Sequence, residues 1–461
     1  MLAGWNDAGA RERLNFALLS VLLTVAVLLG GGSRADVASL PLVYAASVLA
    51  LAAGVAQIDR QALRSARVPL ALLAAFAGVI AVQLIPLPPG VWRGLAGRAS
   101  YAHDLDLIGL GGDWRPLSLT PDLTLYALVA LLPAFAVLTL APLAGRLVGA
   151  VVPVLLILCG VSAMVAILQV AGTMGSFYRV TNQGAAVGLF ANRNHQAALL
   201  VCALPLLAAW ATAPGAKPHH ARVRLWLAGC AGATTLPLLL VTGSRGGLVF
   251  GAIAALASLG IVVRTMPADA HRSERGGRYR LPIVGAAVLA VVLPVIAVLV
   301  SARGEALSRL VAGGNELRLA NIALYLRMAG DFFPWGSGLG SFDSVFRGYE
   351  PFTSLTQTYL NHAHNEPMQL AIEAGLGGIV LALALAGWFV VRAGAAWRSS
   401  RPLPSMLAST VVLGVLLAWS LADYPLRTPS LLAVAATACA LLSERRRGGR
   451  ATRLGNLSPI R

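Results

Sequence analysis

A chain of 461 residues that is 57% hydrophobic and 12% charged, with a mean hydropathy of +0.74, lies well outside the composition of soluble domains. It is a polytopic membrane protein, with apolar runs that leave no room for a second soluble domain. The net charge of +17 does not mark a nucleic-acid binder, because the basic residues are scattered between the runs and do not line one face.

In chain order, a short tail with Arg11 and Arg13 leads into a first span at about Phe16 to Gly31, followed by spans at about Leu40 to Ala56 and Val68 to Leu84. Gly30-Gly31-Gly32-Ser33 leaves a cleaved signal peptide open, but the second span argues for a retained helix. A polar loop from Pro86 to Asp122 precedes spans at about Leu123 to Leu140 and Leu147 to Val170. A second loop, Ala171 to Asn194, opens span six, about Gln196 to Ala213. Spans seven (Leu225 to Val241) and eight (Leu248 to Val263) are joined by the tight Thr242-Gly-Ser-Arg245-Gly-Gly247 turn. Span nine is about Leu281 to Val300, and the longest polar segment runs from Ser301 to Asn365. Span ten (Pro367 to Val391) and two closing spans (Ser405 to Ala422, Ser430 to Leu442) end in a basic tail. The fold class is therefore all-α, an integral membrane protein with about twelve transmembrane helices. Residues 1–461 form a single membrane domain, in which 301–365 is a large periplasmic loop containing short helices. The four cysteines, Cys159, Cys202, Cys230 and Cys439, fall in apolar runs and read as small buried hydrophobes.

Orientation follows from the basic residues near span ends. An even number of spans puts both termini on one side, and the segments on that side hold 23 of the 36 Lys and Arg. That side is expected to be cytoplasmic. The 86–122 loop, the 171–194 loop, the Arg245 turn and the 301–365 segment then share the outer face, which is where chemistry is expected.

Asn365, Glu366 and Pro367 spell a helix start: a cap, a first-turn acid, and a proline where its missing N–H costs nothing. His364 precedes that start, where a cation is disfavoured by ~0.3–1 kcal/mol, so a neutral imidazole suited to general-base work is expected. The alternative is an interfacial histidine bonded to a neighbouring loop. Arg245 emerges from a glycine turn whose N–H groups can approach an anion, either to bind phosphate or to snorkel to the interface. In the helical stretch Glu316 to Asp331, Arg318 and Arg327 project from opposite faces; Arg318 is favoured for chemistry and Arg327 for pairing with Asp331. The aromatics Phe346, Tyr349, Phe352 and Tyr359 line a sugar site or form an interfacial belt, with the belt preferred. No metal site is expected, since His362 and His364 lack the spacing that puts two ligands on one helical face.

Gly188-Leu-Phe-Ala-Asn-Arg-Asn-His-Gln-Ala197, Thr242-Gly-Ser-Arg-Gly-Gly, and His364-Asn followed by nine residues and Gly375-Leu-Gly-Gly378 together resemble the O-antigen ligase and polymerase superfamily. The resemblance implies a GT-C type membrane glycosyltransferase of the bacterial inner membrane. It would take a glycan from undecaprenyl pyrophosphate on the periplasmic side, with no cofactor or metal. It carries the family's histidine onto His364 and its two arginines onto Arg245 and Arg318, although Ile322 stands where the family often has an aromatic. Arg327 remains the alternative second arginine. Asn192, Asn194, Asn365 and His362 are the accompanying substrate-binding candidates, and Asp423 with Arg427 is expected to be a structural pair. The leading expectation is a ligase with a lipid A-core or similar glycan acceptor. A polymerase with the same donor is the nearest alternative. A lipid-linked glycan transporter is less consistent with spans almost free of charge.

Overall fold

The computed structural model describes residues 2–182, 184–215, 217–266, 314–352, 355 and 360–444. Its helices in chain order are α1 (Leu2–Leu29), α2 (Leu40–Ala56), α3 (Arg60–Leu63), α4 (Arg67–Gln83), α5 (Pro89–Arg93), α6 (Ala99–Leu107), α7 (Pro121–Val129), α8 (Leu132–Leu143), α9 (Val151–Val170), α10 (Arg193–Ala211), α11 (Pro218–Thr242), α12 (Arg245–Thr265), α13 (Gly314–Asp331), α14 (Phe342–Phe346), α15 (Glu366–Arg398), α16 (Pro404–Trp419) and α17 (Pro429–Ser443). The only strands among the described residues are a two-residue antiparallel pair in the 86–122 loop, Pro86 opposite Pro116 and Leu87 opposite Arg115.

Seven candidate spans among these residues are long and apolar enough to cross a membrane, and four shorter apolar helices, α2, α4, α16 and α17, occupy the places of further expected spans. The expected ninth span, 281–300, and residues 301–313 lie outside the described residues. The chain is an all-α polytopic membrane protein.

Expected span four is broken. Pro133 near the start of α8 has no N–H to give the Val129 carbonyl, so α7 ends and α8 restarts within the same apolar run. Span ten is broken differently. Gly375 within α15 has φ 56° and ψ −140°, and the turn at 333–338 enters the gap. Ser337 N–H donates to the Ile372 carbonyl at 2.9 Å and Gly338 N–H to the Glu373 carbonyl at 2.9 Å, while Leu376 N–H donates to the Pro334 carbonyl at 2.9 Å. The carbonyls freed by the break are thus satisfied by another segment, the condition for irregular backbone near a membrane.

The most buried of the seven candidate spans is α10, enclosed by α9, α11, α12 and α16; α1, α2, α8 and α17 complete the main bundle. The segments expected on the outer side meet at one end. Leu119 N–H donates to the Ser337 carbonyl at 2.9 Å, which docks the 86–122 loop onto the 333–341 turn, while Gln83 of α4 donates to the Glu373 carbonyl at 2.8 Å and Thr124 of α7 to the Leu339 carbonyl at 2.7 Å. At the other end, Arg264 donates to the Ser399 carbonyl at 2.7 Å, Arg392 to the Leu442 carbonyl at 2.6 Å, and Arg146 faces Glu12 at 3.6 Å.

Candidate active site

Three helix starts converge at the first of these ends, each capped by its own side chain. Asn192 accepts from Asn194 N–H at 2.8 Å at the start of α10, Ser244 accepts from Gly247 N–H at 3.1 Å at α12, and Asn365 accepts from Met368 N–H at 3.1 Å at α15. The caps follow from short polar residues directly before apolar runs. Their convergence aims three positive helix ends at one region.

A chain of hydrogen bonds joins these starts. Ser244 Oγ donates to Asn194 Oδ1 at 2.9 Å, Asn194 Nδ2 donates to Asp423 Oδ2 at 2.6 Å, and His364 Nδ1 lies 3.2 Å from Asp423 Oδ1. Asp423, only 1% exposed, also accepts from Tyr424 N–H at 2.9 Å. Burial alone would raise the Asp423 carboxyl, but the His364 hydrogen bond, the nearby His195 ring and the Asn194 amide hold it well below the usual carboxylate range. An ionised Asp423 accepts from Nδ1–H of His364, so the lone pair of the neutral ring sits on Nε2, the arrangement a general base needs. His364 is the one non-glycine residue with positive φ, 51°, among the described residues. That conformation disfavours a side chain, and here it accompanies the bond to Asp423.

A second network lies behind the first. Gln369 Oε1 accepts from Ala363 N–H at 2.9 Å, which orients the amide so that Nε2 donates to His362 Nδ1 at 3.1 Å and to Glu373 Oε1 at 3.0 Å. His362 therefore carries its proton on Nε2. Burial, with Arg427 nearby, pushes it well below the ordinary histidine value. Arg427 does not pair with Asp423. Its Nε contacts both Glu366 oxygens at 3.0 and 3.1 Å, and its Nη2 reaches Glu373 Oε2 at 3.0 Å. The expected Asp423–Arg427 pair is replaced because each has a nearer partner on α10 or α15.

The other sequence-selected residues divide. Asn192 is a cap that also lines a cleft described below, Asn194 bridges Asp423 and Ser244, and Asn365 is a cap whose Nδ2 donates to the Leu421 carbonyl at 3.1 Å. Arg245 is exposed at the first position of α12, beside Ser244 in the chain of hydrogen bonds. Arg318 lies on α13, and its side chain is outside the described residues. Arg327, largely exposed, faces Asp331 at 3.9 Å and the Tyr349 ring at 5.9 Å, with no contact to the His364 network. Within the aromatic stretch, Phe342 and Phe346 are core: they stack at 5.4 Å in a buried cluster with Tyr325. Phe352 is exposed, and Tyr359 lies outside the described residues.

Sequence reasoning missed Glu373, Tyr424 and His195. Glu373 carried a signal, an acid two helical turns after Glu366 on the same face. His195 stood in the polar Asn192-Arg-Asn-His-Gln196 stretch at the start of span six. Tyr424 carried none, and its ring is approached by His195, His362 and His364 at centroid distances of 5.0, 4.2 and 4.9 Å.

An all-α polytopic chain with a carboxylate-oriented histidine and an arginine-bearing helix start at one end of its bundle defines an integral membrane protein with a polar centre at the bundle edge. Residues 230–383 match the family described as O-Antigen ligase, and this match supports a likeness to the O-antigen ligase superfamily over that segment. The matched segment contains Arg245, Arg318, Arg327, His362 and His364, and leaves out Asn194, Asp423 and Arg427. No curated protein matches the chain.

Proposed function

We propose that the protein is an O-antigen ligase that transfers a polysaccharide from undecaprenyl pyrophosphate to a hydroxyl of a lipid A-core or similar acceptor at the periplasmic face of the inner membrane. The observation that carries this reading is the His364–Asp423 pair, linked through Asn194 and Ser244 to the helix start that bears Arg245. His364 Nε2 takes the proton of the acceptor hydroxyl as its oxygen attacks the anomeric carbon. The bond from that carbon to the diphosphate oxygen breaks, the electron pair leaves with the undecaprenyl diphosphate, and the configuration inverts. Asp423 orients His364 and stabilises the imidazolium that forms, as carboxylate partners of catalytic histidines do. Diphosphate is a good leaving group, so charge stabilisation matters more than acid catalysis, and this falls to Arg245 and Arg318, with three helix starts aimed at the same region.

The test is transfer in vitro by purified full-length protein, with donor and acceptor supplied from extracted membranes. His364→Ala is expected to lower transfer by ~10²-fold or more, and Arg245→Ala and Arg318→Ala to raise the concentration of donor required. Wild-type transfer by all three variants would end this mechanism. In a deletion strain, long undecaprenyl-linked chains left unattached support the ligase, whereas accumulated single repeats would point to a polymerase.

A further inference from the structure

A cleft of about 750 Å³ is lined by the segments at 31–39 and 177–182, with Asn192 and Asn361 and with His195 and Tyr424 at its floor. This volume is within the range of small-ligand sites, ~300–1,000 Å³. His364 and Asp423 are not among the lining residues, but the ring of Tyr424, which is, lies 4.9 Å from that of His364, so the cleft comes within one residue of the base. Neither Ser244 nor Arg245 lines it. Two arms therefore leave the His364 centre: one runs through Asn194 and Ser244 to Arg245, and the other is this cleft.

The lining suits a sugar. Phe177 and Tyr178 offer ring faces, and Asn182 and Asn361 offer amides. On the floor, His195 is 1% exposed, neither ring nitrogen has a hydrogen-bond partner among the described residues, and Nε2 stands 4.0 Å from Asp423 Oδ1. An unmatched buried imidazole is costly, a cost that a hydroxyl reaching the floor would relieve. The wall also carries surplus positive charge. Arg34 engages both oxygens of Asp36, Nε to Oδ1 at 3.0 Å and Nη2 to Oδ2 at 3.4 Å. Arg179 adds one contact, Nη2 to Oδ2 at 3.3 Å, and its side chain is 85% exposed. One carboxylate thus faces two guanidiniums, and most of the five Arg179 donors are not used by the described residues.

We propose that this cleft is the acceptor subsite and that it takes a saccharide bearing an anionic substituent, a carboxylate or a phosphate, which Arg179 holds while the reacting hydroxyl meets His364. The proposal rests on glycosyl transfer at His364, and its test is a binding measurement that does not depend on transfer.

Saturation-transfer NMR on the detergent-solubilised full chain would compare cellobiouronic acid with its neutral counterpart cellobiose. The acid is expected to bind ~tenfold more tightly, a preference that Arg179→Gln reduces to within about twofold and that His364→Ala leaves intact. Equal binding of the two sugars, binding of neither, or an unchanged preference in Arg179→Gln would overturn the proposal. Displacement of cellobiouronic acid by dioleoylphosphatidylglycerol would also overturn it, since the anion held would then be a lipid headgroup. If His364→Ala retains transfer, the reaction reading fails, while the cleft is judged by the binding data alone.

Discussion

Gln369 decides the state of His362 through an amide whose orientation the backbone dictates. Its oxygen is taken by Ala363 N–H, so its nitrogen must donate to His362 Nδ1, which a protonated ring would not permit. Burial and Arg427 push the same way. In the folded chain His362 stays neutral below the pH at which the unfolded chain binds a proton, about 6.5. The unfolded state then holds more protons, and stability falls as pH drops below that value by up to about 1.4 kcal/mol per unit. Thermal unfolding between pH 7.5 and 5 is expected to become less steeply pH-dependent in His362→Asn; an unchanged slope would remove His362 as its source. His364 was legible from its place before a helix start, whereas its partner was not. Asp423 lies 59 residues away, and nothing in its local sequence distinguishes it from a loop acid.

At the scale of elements, the break in α15 sets where Glu366, Gln369 and Glu373 stand. A Cβ on Gly375 would lie 2.1 Å from the Pro334 carbonyl oxygen, in addition to the positive φ. Both features require glycine. Gly375→Ala is therefore expected to destabilise the protein by about 2 kcal/mol or more, read as a lowered midpoint in thermal unfolding. It should also lower transfer, because the turn at 333–338 and the first turns of α15 are held by the same bonds. Gly387→Ala, where a Cβ meets nothing within 4 Å, is the control and should stabilise slightly if it does anything. The helix start at Asn365 was legible, because its cap, first-turn acid and proline are local. The break was not, because span ten reads as continuous apolar sequence and the segment that fills the gap comes from before the helix.

For the whole molecule, the two ends differ in kind. One gathers the capped helix starts, the histidines and the cleft; the other gathers Arg146, Arg264 and Arg392 with backbone carbonyls and Glu12. By the excess of basic residues we propose that the second end faces the cytoplasm. Single cysteines in a Cys230→Ser background test this assignment, since Cys159, Cys202 and Cys439 are buried. Trp114→Cys should react with a membrane-impermeant maleimide in intact spheroplasts, and Arg146→Cys only after lysis. The reverse pattern would invert the topology and move the proposed chemistry to the cytoplasmic side.

The sequence by itself determined the class of fold, the positions of the apolar runs, the helix start at Asn365, and the candidacy of His364 and Arg245. These are local properties of composition, periodicity and capping. Only the tertiary structure decided that Asp423 belongs to His364, that Arg427 spans Glu366 and Glu373, that Phe342 and Phe346 are core, and that the 31–39 and 177–182 segments enclose a cleft. Each of these depends on which distant segments pack together. Partners of buried charges are chosen by proximity in space, and span boundaries alone do not encode it.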